Sequence, residues 1–173
     1  MTYILAAQRD GSPAAMMANF DRYKAYLRAS RSTFPPGAYA LATSDWYYDF
    51  ADHRCPHDAW LEKLTVCEPV EGPTQEQRVL VLELRLLGAY HDGYIILRYP
   101  RVFAYRLDTW HGAQGHRDWR YDEFRLSEPG NVVHEIEWAG KDATGRWLIE
   151  ASDVEFSWEP RPVHPFGGPR SPS

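Results

Sequence analysis

The chain has 173 residues, 44% hydrophobic and 25% charged, which fits one globular domain with a core of its own. Its net charge of -5 and 19 basic against 24 acidic residues argue against nucleic-acid binding, which needs a concentrated basic face. No run of about 18 apolar residues exists to suggest a membrane span, and the apolar start Met1–Ala7 is too short and lacks the basic front of a secretion signal.

The first predicted element is a helix. Ser12-Pro13 reads as an N-cap followed by proline at the first helical position. Met16, Phe20, Tyr23 and Leu27 then recur every three to four residues, the stripe of an amphipathic helix. Ser30 to Ser32 should end it, and Phe34-Pro35-Pro36-Gly37 breaks the chain before a short helical turn through Ala38 to Ala42. This helical arm is expected over 13–43.

A polar segment follows, with Asp49, Asp52, His53, Cys55, His57 and Asp58 close together. With two cysteines in the chain, Cys55 and Cys67, no disulfide framework can form; free thiols in a reducing cytoplasm are expected.

From Ala59 the apolar period becomes two. Leu80, Leu82, Leu84 and Leu86 alternate with Val81, Glu83 and Arg85. The same zigzag recurs over 94–99, 102–107, 132–138 and 154–158, separated by Glu71-Gly72-Pro73, His91-Asp92-Gly93, Tyr99-Pro100 and Glu128-Pro129-Gly130-Asn131. The fold class is therefore mainly β (α+β by count), an antiparallel curled sheet or a sandwich-like or barrel-like fold of about seven or eight strands. The amphipathic helix should cover one face or edge. The domain is expected over 1–158, with its β body at 59–158 and a proline-rich flexible tail at 159–173.

Several residues have side chains suited to chemistry. His53, His57, His91 and His116 are of a zinc-ligand type and lie in loops that one end of a sheet could bring together. A divalent metal such as zinc would there activate a water, with Asp58 or Asp118 as the base. The spacing matches no closed zinc motif, and no glycine-rich phosphate loop, nucleophile elbow or H-E-x-x-H motif is present. No cofactor is therefore expected, and an enzyme is the less favoured reading. Asp58, Asp118, Glu135 and Glu137 are candidate binding carboxylates for a basic protein, although acidic strand faces more often serve solubility. The aromatic share of 14% also allows a small-ligand carrier with an aromatic-lined cavity.

The stretch His57-Asp58-Ala59-Trp60-Leu61-Glu62-Lys63-Leu64 resembles the H-D-x-x-L opening of small bacterial β-rich proteins, some of them similar to immunity proteins of toxin systems. There a His-Asp pair precedes a strand and antiparallel strands follow. The resemblance implies a cytoplasmic, acidic binding protein without catalysis, one that blocks a toxin, with Leu61 and Leu64 entering the sheet and Asp58 tying down the turn.

Overall fold

The structure is a computed structural model that describes residues 1–5, 12–108, 115–139 and 144–162. Helix α1 spans Pro13–Ala29 and α2 spans Pro36–Ala42. Ser12 caps α1 as its sequence implied, its Oγ accepting from the Ala15 amide at 3.2 Å. Ten strands follow: β1 (Trp60–Cys67), β2 (Val70–Glu71), β3 (Gln77–Arg78), β4 (Val81–Leu87), β5 (Gly93–Tyr99), β6 (Val102–Leu107), β7 (Asp118–Leu126), β8 (Val132–Ala139), β9 (Thr144–Ala151) and β10 (Glu155–Pro160). Apart from the small β2–β3 ribbon, they form one antiparallel sheet, β10-β5-β4-β1-β7-β8-β9-β6, which does not close.

The sheet is two four-stranded halves sharing one core. They meet at the single pair Trp60/Asp118 between β1 and β7. At the opposite corner β5 runs on into β6 and β9 into β10, so each chain crosses from one half to the other. Amide bonds from Val102 to Leu80 O and from Ser152 to Arg101 O, both 2.8 Å, fix this bend. One half contributes Leu82, Leu84, Leu86, Ile95, Leu97 and Tyr99, and the other Trp119, Phe124, Ile136, Trp138, Trp147 and Ile149, all buried. The alternation read over 80–86 is confirmed at Leu82, Leu84 and Leu86, which are all buried, while Glu83 and Arg85 on the other face are partly exposed.

Helix α1 also completes β7. Beyond Asp118, β1 and β7 no longer pair, which leaves the β7 edge without a strand neighbour among the described residues. The Tyr23 hydroxyl accepts from Phe124 N at 2.7 Å and donates to Phe124 O at 3.1 Å, and the Tyr26 hydroxyl accepts from Leu126 N at 2.8 Å. Phenols thus replace the missing strand and satisfy backbone groups that burial would otherwise strand.

Two expectations need correction. Glu159 and Pro160 belong to β10, not to a tail; Pro160 ends an edge strand, where a missing N–H costs nothing. The tail from 163 to 173 lies outside the described residues. Asp118, expected in a glycine-rich loop with His116 before Trp119, instead opens β7. A register shift between Trp119 and Tyr121, together with buried Asp122 and Glu123, erases the period-two signal of that strand.

Candidate functional site

The loops carrying His53, His57, His91 and His116 gather at one end of the sheet, around the Trp60/Asp118 junction. The amide of Asp58 donates to Trp119 O at 2.8 Å and that of Trp119 to Ala59 O at 3.0 Å, which fixes the 53–58 loop to β7. The Trp60 indole N–H donates to Asp118 Oδ1 at 2.8 Å, and its ring lies 4.8 Å from His91. Trp60, His116, Arg117 and Asp118 line a shared hollow of about 390 Å³.

The histidine rings nevertheless take different partners. His53 stacks on Tyr90 at 4.0 Å and faces Asp92 through Nδ1 at 2.5 Å. His57 stacks on Phe50 at 3.9 Å and meets the edge of Tyr121. Burial pulls its pKa below the usual imidazole value despite the Asp58 carboxylate 3.3 Å away. His116 packs on Trp138 and Trp147, and burial lowers its pKa too. Among the described residues no three His, Cys, Asp or Glu side chains come together to hold an ion. Each imidazole packs against an aromatic neighbour.

This end is instead an aromatic surface. Phe50 is 47% exposed, Trp60 49% and Tyr90 49%. Their positions are fixed: the Tyr90 hydroxyl donates to Phe50 O at 3.3 Å, and each ring has a histidine against it. Asp58, His91 and Arg117 all have positive φ, at 62°, 58° and 66°. Three non-glycine residues in the left-handed region border one tryptophan, and such backbone cost concentrates where a surface must be held in shape. Arg54 holds the Asp52 carboxyl down at about 2, and Arg120 lies 3.6 Å from Asp58. Cys55 is buried and its thiol donates to Tyr47 O at 3.0 Å; burial pushes its pKa up to about 12, so the nucleophilic thiolate is suppressed.

No protein-family model, curated protein or solved structure matches the chain. Function therefore has to be read from this geometry alone.

The candidate carboxylates divide between two places. Asp58 and Asp118 belong to the aromatic end. Glu135 and Glu137 do not lie on an open acidic face: Arg146 reaches Glu135 at 2.7 Å and Glu137 at 3.1 Å, and Glu137 is 3% exposed. Arg125 bridges Glu135 and Glu123, whose Oε2 also accepts from the Tyr3 and Leu5 amides at 2.9 and 3.1 Å. Glu123, together with Arg146 donating to Leu5 O at 3.4 Å, pins the N-terminal segment to the sheet, an arrangement that single-sequence periodicity cannot reveal.

The cluster that the sequence concealed lies in the core. Asp122 accepts from the Tyr47 hydroxyl at 2.9 Å, from the Trp119 indole at 3.0 Å and from His134 Nε2 at 3.0 Å. A carboxylate can only accept, so His134 donates through Nε2, and its Nδ1 lies 2.6 Å from the Tyr99 hydroxyl. Tyr99 lies in one half of the sheet and His134 in the other, so the chain of bonds crosses the core. Burial raises both tyrosine pKa values well above the usual phenol range. With every member buried, the cluster ties the two halves of the sheet together in register.

Proposed function

We propose that this protein is a non-enzymatic protein-binding module that contacts a basic partner through Phe50, Trp60 and Tyr90. The observation that carries this reading is the clustering of three half-exposed large aromatics whose rings are already fixed. Rigid aromatic anchors dominate interface energetics because little side-chain freedom is lost when they are covered. Around them Asp49, Asp52, Asp58, Asp92 and Asp118 outnumber Arg54, Arg117 and Arg120, which complements a positive partner and speeds its encounter. A toxin blocked by an immunity-like protein would fit that chemistry.

The test is an affinity capture from the source organism at modest salt, with the parent chain and a Phe50→Ala/Trp60→Ala variant side by side. One specific basic protein should be retained by the parent and lost by the variant, with melting temperatures alike. Equal recovery by both chains, or no reproducible partner, sinks the proposal.

A further inference from the structure

Away from the aromatic end, α1, α2 and the chain after α2 enclose a groove of about 410 Å³. Its α1 wall is Phe20, Tyr23, Lys24, Leu27 and Arg28, the i, i+3, i+4, i+7, i+8 face of one helix. The opposite side is Tyr39, Ser44, Asp45, Tyr48 and Asp49. The size falls in the range of small-molecule sites, and Phe20, Tyr39 and Tyr48 contribute partly exposed rings to it. The Tyr48 hydroxyl is buried there without a well-formed hydrogen bond.

On the rim, the Asp49 carboxylate accepts from the Ala51 amide at 3.0 Å. Lys24, Arg28 and Asp45 make no ion pair or side-chain hydrogen bond among the described residues. Lys24 and Arg28 are neighbours four apart on the helix, a like-charge arrangement that disfavours the helix unless an anion sits between them. Across the aromatic floor stand the carboxylates of Asp45 and Asp49. The groove thus offers a cationic wall, an anionic wall and an aromatic base between them.

We propose that this groove binds a small zwitterionic ligand with an aromatic body, of amino-acid size. Its carboxylate faces Lys24 and Arg28, its ammonium faces Asp45 and Asp49, and its ring lies against Phe20 and Tyr48. Charge-assisted bonds at both ends select the zwitterion over molecules carrying a single charge. Asp49 borders both this groove and the aromatic end, but none of Phe50, Trp60 and Tyr90 lines the groove, so the two readings can be tested apart.

The experiment is an amide NMR titration of the full chain with L-phenylalanine, phenethylamine and 3-phenylpropionate. The latter two lack the carboxylate and the ammonium respectively. L-Phenylalanine should shift resonances of residues 20–28 and 39–49 saturably, with a Kd of about 1 mM, ordinary for a ligand this small. Each single-charge analogue should bind roughly tenfold more weakly. A Lys24→Ala/Arg28→Ala variant should weaken L-phenylalanine to the level of phenethylamine, and Asp45→Asn to the level of 3-phenylpropionate. The proposal is overturned by no saturation by about 20 mM, by equal affinity for the three probes, or by variants that leave affinity unchanged. Shifts of the same resonances with protein concentration alone also overturn it, because a second copy would then be the occupant.

Discussion

Replacing Asp122 tests the core account most directly. Its carboxylate accepts from the Tyr47 hydroxyl, the Trp119 indole N–H and His134 Nε2, at 2.9, 3.0 and 3.0 Å, and all four residues are buried. Asp122→Ala leaves those donors in the core without an acceptor. Each stranded donor costs about 1–3 kcal/mol, and members of one network do not add fully, so the loss should be about 3–6 kcal/mol. For a chain of this size that lowers Tm by roughly 6–24 °C, a large part of a typical stability of about 5–15 kcal/mol. Asp122→Asn keeps the shape and one carbonyl oxygen, and the Tyr47 hydroxyl can turn to accept from its amide. It should cost about 1–2 kcal/mol, near the worth of one bond. Urea and thermal unfolding followed by circular dichroism give both values. An Asp122→Ala chain melting within about 2 °C of the parent, or Asn costing as much as Ala, would refute the reasoning.

Further outcomes follow from the same structure. Leu82→Asp places an unpaired charge at a fully buried position in β4 and should abolish the cooperative transition at room temperature; a melting curve like the parent's would mean that β4 is wrongly oriented. His57 and His116 have lowered pKa values in the fold, so the unfolded chain binds more protons than the native one near pH 6. Their contribution to stability is therefore complete above pH of about 6.5 and is lost as pH falls through that value. His57→Phe, which keeps a ring against Phe50, should flatten part of the fall in Tm between pH 7.5 and 5.5; an unchanged profile would assign the fall to other groups.

The outcomes over α1 and β7 show where sequence reading works and where it stops. The Ser12 cap, the proline after it and the Tyr23/Leu27 stripe are local signals, and the helix formed where they placed it. What the tyrosine hydroxyls bond is a fact about β7, a hundred residues away, and no local pattern carries it. In β7 a register shift and two buried acids break the alternation, so the strand was invisible to periodicity. For the candidate site, the histidine loops and Asp58 and Asp118 were named and do share one end of the sheet. The aromatic surface was missed because exposure of Phe50, Trp60 and Tyr90 depends on what fails to cover them.

The sequence by itself determined the mainly β character, the helical arm and the inward face of β4, because backbone period and burial are coupled residue by residue. Only the tertiary structure decided that Glu135 and Glu137 are pinned by arginines and that Asp122 and His134 meet in the core. It also decided which aromatic ring each histidine packs against. Pairing across a folded sheet depends on register between distant strands, and one chain's sequence states no distances between them.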